Sequence, residues 1–169
     1  MPATRRQPYG AAELVRLLAP RSVALVGASP TPASMGARTL ANLARFPGAV
    51  FPVNARYAEI AGLRCYPDLA SLPGVLDVVV VALAAAQVEA VVADCAARGV
   101  GAAVIYAAGY ADTQTADGLA AQARIAAIGQ AAGMRIIGPN CAGYAALRSG
   151  LLAGFPEFPQ PVAGTRGIG

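Results

Sequence analysis

The stretch Arg21 to Gly36, RSVALVGASPTPASMG, carries the residue types that hold a phosphate. Gly27 ends a short apolar run, and Ser29, Thr31 and Ser34 follow in a loop stiffened by Pro30 and Pro32. Hydroxyls donate to anionic oxygens, and glycine lets backbone amides come close to them. Met35, Leu40, Leu43 and Phe46 then recur at spacings that predict a packed helix. The first amides of such a helix lack partners within it, and its dipole adds positive potential, so an anion is drawn to this end. Gly36, in the first turn, would let a pyrophosphate approach. The loop is not the GxGxxG fingerprint of dinucleotide sites.

A second group of residues bears on which anion it is. NAD enzymes place an Asp or Glu about 20 residues beyond the glycine loop, where it accepts from the ribose 2′-hydroxyl. Here the corresponding run, Pro52-Val53-Asn54-Ala55-Arg56-Tyr57, offers Asn54 and Arg56 instead. An arginine there suits an extra phosphate on an adenosine ribose, which coenzyme A carries at the 3′ position and NADP at the 2′ position.

The chain has no histidine. That removes the commonest general base and metal ligand, so no catalytic residue and no metal site is expected. Cys65, Cys95 and Cys141 are odd in number and far apart, which predicts neither a disulfide framework nor a metal site and suits a reducing, cytoplasmic compartment. With no histidine to activate it, Cys141 reads as a small packed side chain rather than a nucleophile. Asn140, in the same turn, is expected to cap neighbouring amides through its side chain.

The elements that must position these residues alternate regularly. Strands are predicted to begin near Ser22, Ala49, Asp77, Gly101 and Met134, with intervening segments long enough for crossovers. Helices are expected over Ala11–Ala19, Met35–Phe46, Ala85–Arg98 and Thr115–Ala132, the last two stopped by Gly99 and Gly133. Val78–Leu83 and Ala102–Tyr106 are nearly continuous apolar runs, as when helices cover both faces of a parallel sheet. The expected fold is α/β: a Rossmann-like, doubly wound parallel sheet in three α/β/α layers, with strand order 3-2-1-4-5. Ligands of such sheets sit beyond the carboxyl ends of the strands, here near a switch point between strands 1 and 4.

Residues 1–20 are then an N-terminal helical segment, 21–144 the Rossmann-like domain, and 145–169 an extended tail leading toward a further domain. Pro156, Pro159 and Pro161 break that tail, which has no evident core face, and Ala163–Gly169 reads as the approach to another strand.

Composition narrows the partners. With 56% hydrophobic and 13% charged residues the chain must bury a core rather than stay disordered. All 13 basic residues are arginines, scattered along the chain at a net charge of +4, which gives no nucleic-acid footprint. Val78–Val88 is bounded by Asp77 and Glu89, well short of the ~20 residues of a spanning helix, and MPATRRQPYG leads into no signal core, so no membrane association is expected.

Taken together, Val26-Gly27-Ala28-Ser29 with Gly36, Pro52-Val53-Asn54, Gly62-Leu63-Arg64-Cys65-Tyr66-Pro67, Ala108-Gly109-Tyr110 and Gly138-Pro139-Asn140-Cys141 resemble the CoA-binding domain of NDP-forming acyl-CoA synthetases, relatives of the succinyl-CoA synthetase α subunit. The resemblance runs from about Leu14 to Phe155. It implies that Gly27 and Ala28 belong to the CoA-binding loop and that Ser29 to Gly36, with Thr31, Ser34 and Met35, holds the pyrophosphate side of CoA. Asn54 and Arg56, with Pro52 and Tyr57 beside them, would hold the phosphorylated ribose. Ala82 and Leu83 would flank the nucleotide, and Ala107, Ala108 and Tyr110 would line the path of the pantetheine arm, with Asn140 nearby. The chain departs from the family at Ala84, where proline is usual, at Ala142, where leucine is usual, and at Tyr110, which replaces a phenylalanine. The family reaction joins an acid to CoA at the expense of a nucleoside triphosphate, through an acyl phosphate and a phosphohistidine carried on other domains. The resemblance thus implies the CoA-holding part of an acid-CoA ligase, working with catalytic and ATP-grasp domains or with a partner subunit. Two other readings stay open: an NADP-binding domain of an oxidoreductase, and a stand-alone CoA or nucleotide sensor.

Overall fold

A computed structural model describes residues 10–158. Most of the MPATRRQPYG segment, Pro159, Pro161 and Ala163–Gly169 lie outside the described residues. In chain order the elements are α1 (Ala11–Leu18), β1 (Ser22–Val26), α2 (Met35–Leu43), β2 (Ala49–Val53), β3 (Glu59–Ile60), β4 (Leu63–Arg64), β5 (Val78–Val81), α3 (Ala85–Ala97), β6 (Ala102–Ile105), α4 (Ala116–Ala131), β7 (Arg135–Ile137), β8 (Gly143–Ala146) and β9 (Leu151–Gly154).

Five strands form one parallel sheet in the order β2-β1-β5-β6-β7. The Rossmann-like layering is as expected, but the order is not: counting the sheet strands as they come, it is 2-1-3-4-5 rather than 3-2-1-4-5. Pro52 supplies a physical reason. It has no N–H to give to a neighbouring strand, so the strand that carries it belongs at the edge of a sheet. The four valines of β5, each fully buried, instead sit between β1 and β6. The strand order therefore reverses between β1 and β5.

Each face of the sheet has its own core. On one side Val88, Val92 and Cys95 of α3 and Ile125 of α4 pack over Val79, Val81, Ala103 and Ile105. On the other, Leu40 and Leu43 of α2, Phe46 and Leu17 of α1 pack over Val23, Leu25, Val78, Val80 and Val104. This second layer is completed by a part of the chain expected to be featureless. β8 and β9 pair as an antiparallel hairpin, and Ala146, Leu151 and Ala153 are buried in the same core. Residues 145–154 thus have a core face, correcting the extended-tail expectation. Asn42 of α2 holds the end of β9 and the segment after it, its side-chain amide donating to Gly154 O at 2.7 Å and Pro156 O at 2.8 Å.

At the amino edge of the sheet, Asp77 gathers the ends of three segments. It accepts from Arg16 Nε of α1 at 2.9 Å and from the Arg21 amide at 2.8 Å, and its own amide donates to Ser22 Oγ at 3.0 Å. The Arg16 guanidinium also donates to the carbonyls of Gly99 and Leu76. Burial acts to raise the Asp77 pKa, but the hydrogen bonds from the Arg21 amide and the Arg16 side chain, with both positive charges, outweigh it and hold the carboxyl below its ordinary value.

Candidate functional site

All five loops expected to meet a ligand leave the carboxyl edge of the sheet, because every strand of it runs the same way. At its centre, where the order reverses, Gly27 ends β1 with φ +88°. A Cβ on Gly27 would lie 2.4 Å from Ala82 O at the end of β5, so only glycine lets these strand ends close up. Gly36 serves a related purpose. A Cβ there would lie 2.3 Å from Gly27 O, so its bareness seats α2 against the end of β1.

The hydroxyls are more committed than their types suggest. Ser34 is the N-cap of α2: its Oγ accepts from Ala37 N at 3.1 Å and donates to Thr31 O at 2.8 Å. Ser29 Oγ accepts from Thr31 N at 3.1 Å, which folds the loop back on itself. These contacts shape the loop and leave the start of α2 open. Among the described residues no acceptor takes the amides of Met35 or Gly36, and Thr31 and Met35 lie exposed beside them. Ala28, by contrast, is fully buried and contributes through its backbone alone.

Across the edge, the turn after β2 is built on Asn54. Its side-chain amide donates to Ala28 O at 2.8 Å, and its Oδ1 accepts from Arg56 N at 3.0 Å. The Asn54 backbone is held as well, donating to Tyr66 O at 2.8 Å. Arg56 is exposed, with its guanidinium carbon 5.8 Å from the centre of the half-buried Tyr57 ring. Pro52 is buried one residue before the strand ends.

The remaining expected residues divide into surface and support. Ala82 and Leu83 are half-buried beside Gly27, and exposed Ala84 starts α3 with no side-chain cap, as an alanine must. Ala107 is buried, while Ala108 and Gly109 are exposed. Tyr110 faces inward: it is 3% exposed, packs in the core and donates its hydroxyl to Ala85 O at 3.2 Å, so its ring supports α3. Asn140 has a left-handed backbone, φ +54°, and its amide donates to Ala107 O at 2.8 Å. Among the described residues its side chain caps no amide, so it fixes the turn through its backbone alone. Cys141 donates to Ile105 O at 3.3 Å, and burial pushes its thiol pKa up, away from the thiolate a nucleophile needs.

Two features escaped the sequence. Asp112 folds back to accept from the amides of Gly109 and Tyr110 at 2.8–3.2 Å, and those amides hold its carboxyl below its ordinary pKa. An Asp three residues beyond a glycine turn was the available signal. A cavity of about 580 Å³ also lies between α2, β2 and the β3–β4 hairpin; Leu40, Phe46, Val50, Ile60 and Leu63 line it, and it meets the phosphate loop only at Ser29 and Pro30.

The family model for the CoA binding domain matches residues 21–146. Trans-feruloyl-CoA synthase from an unknown prokaryotic organism is 38% identical over 161 residues, spanning 93% of this chain and 23% of that protein. Acetate–CoA ligase [ADP-forming] II of Archaeoglobus fulgidus is 33% identical over 166 residues, spanning 97% of this chain and 24% of its own length. Among solved structures, acetyl-coenzyme A synthetase 1 of Ca. Korarchaeum cryptofilum, in complex with phosphate and ADP, superimposes with a TM-score of 0.80 at 34% identity, covering 85% of this chain and 31% of that one. The chain thus spans about a quarter of the length of the curated relatives it matches.

Proposed function

The chain belongs to the CoA binding domain family, and from that premise we propose that the carboxyl edge of its sheet holds the ADP end of coenzyme A for an ADP-forming acid-CoA ligase. The observation that carries the reading is the pairing of the open N-terminus of α2 with exposed Arg56 across the edge. The first supplies amides and dipole for a pyrophosphate, and the second a planar cation for the ribose phosphate.

The loop Gly27–Gly36 takes the pyrophosphate side, Arg56 the 3′-phosphate, Ala82 and Leu83 the nucleotide, and the exposed Ala108 and Gly109 the start of the pantetheine arm. CoA supplies the thiol that is acylated. This chain binds and orients it, and having no histidine it has no group to carry a phosphohistidine. That step falls to other domains or to a partner subunit, an arrangement supported by a relative in Pyrococcus furiosus named as an acetate–CoA ligase subunit alpha. The three free thiols suit a cytoplasmic setting, and among the described residues no helix is long and apolar enough to cross a membrane.

Titration calorimetry with CoA, NADPH and ADP tests the reading. CoA is expected to bind tightest, with ADP retaining part of the affinity. Tighter binding of NADPH than of CoA overturns it in favour of an oxidoreductase domain.

A further inference from the structure

Asn54 carries hydrogen bonds in two directions, and each ends on a different half of the candidate site. Its side-chain amide reaches 26 residues back along the chain to the buried carbonyl of Ala28, while its Oδ1 holds the amide of exposed Arg56. A peptide unit is planar, with its C=O and N–H on opposite edges. Fixing the Ala28 carbonyl toward Asn54 therefore turns the N–H of Ser29 the other way. The first turn of α2 lies close beside that amide: Ser29 N is 3.2 Å from where a Cβ on Gly36 would stand. The turn of Asn54 is itself anchored, since its amide donates to Tyr66 O at 2.8 Å and its carbonyl accepts from Cys65 Sγ at 3.5 Å.

We infer that Asn54 is a positioning residue that joins the two phosphate-binding halves: its donor aims the Ser29 amide at the pyrophosphate, and its acceptor sets Arg56 for the ribose phosphate. This rests on the CoA reading above, and it replaces direct contact between Asn54 and the ribose with indirect control of both anion contacts. It also assigns different work to the two ends of one carboxamide. Aspartate keeps the acceptor for Arg56 N but sets an anionic oxygen against Ala28 O, where it favours a flipped peptide. Alanine removes both arms.

The test compares N54D and N54A with the unaltered 169-residue chain, using calorimetry with CoA and with dephospho-CoA, which lacks the 3′-phosphate. N54D should weaken both ligands by a similar factor, about tenfold, leaving the ratio between them intact. N54A should weaken CoA further and reduce its advantage over dephospho-CoA. Adding Arg56→Ala to N54A should then cost CoA less than Arg56→Ala costs alone. If N54A weakens CoA and leaves dephospho-CoA unchanged, Asn54 touches the ribose phosphate directly, and the inference fails. Full additivity with Arg56→Ala also overturns it. Amide hydrogen exchange without ligand gives a separate readout: the Arg56 amide, protected though on an exposed residue, should exchange faster in N54A and stay protected in N54D. If the unaltered chain binds no CoA while this exchange pattern holds, the functional reading is lost and the link between the loops stands. An unchanged exchange rate in N54A removes the link itself.

Discussion

Arg56 is the residue on which the proposed choice of CoA among phosphorylated nucleotides turns. Its guanidinium is exposed, its nearest aromatic partner is Tyr57, and its backbone is held by Asn54. A side chain so placed can meet a ligand phosphate without giving up a buried ion pair. Arg56→Ala should weaken CoA by about 1.5–3 kcal/mol and leave dephospho-CoA nearly unchanged. Because the contact would be partly exposed, the difference should shrink as salt is raised, and calorimetry at two ionic strengths measures it. Equal losses for both ligands would assign Arg56 to the fold or the pyrophosphate. At this scale the sequence revealed which residue types stand at the site better than how they are spent. Ser34 has the hydroxyl of a phosphate donor and uses it as a helix cap, and the bareness of Gly36 is filled by the Gly27 carbonyl. Residue type names a capacity, and only the neighbours show whether it is already used.

Among the elements, the five strands of the sheet and the four helices were legible because they are largely runs of apolar residues, several of them closed by proline or glycine. The sheet order was less so, since the period of a strand does not say which neighbours it has; Pro52, which suits an edge, was the overlooked signal. The β8–β9 hairpin was missed for another reason. Its buried faces rest on Ala146, Leu151 and Ala153, and alanines give an alternating pattern too little apolar contrast to stand out. Leu151 is the exception in size, fully buried against the layer of α2 and Phe46. Leu151→Ala should therefore cost about 2–4 kcal/mol in urea unfolding, as a cavity in a closed core does. A loss below about 0.5 kcal/mol, the range of surface changes, would make the hairpin peripheral.

For the whole molecule, the Asp77 cluster ties α1, the start of β1 and the start of β5 at the edge opposite the site. Its folded carboxyl lies below the unfolded value of about 3.9, so its stabilisation is complete above that pH and is lost as pH falls through the folded value. Asp77→Asn should lower stability by about 1–3 kcal/mol at pH 7, through the bonds from the Arg21 amide and the Arg16 side chain. Arg21 contributes little through its side chain, which is 94% exposed at 4.0 Å from the carboxylate. The gap between the two proteins should close as pH drops below about 4, as urea unfolding from pH 7 to pH 3 would register. A gap that stays constant over that range would mean that Asp77 acts by shape alone. Strengthening or breaking this cluster should alter stability and leave CoA affinity per folded molecule the same.

The edge position of β2 has a wider consequence. Pro52 offers no amide outward, and the only outer partner of the strand among the described residues is a single bridge from Val53 to Tyr66. At the opposite margin β7 is three residues long and carries Arg135. Short, interrupted margins give a passing strand almost no template to extend. Such a domain resists zipping edge to edge into chains of itself, even when crowded. A partner that meets it at these margins is then expected to dock by side-chain fit rather than by extending the sheet.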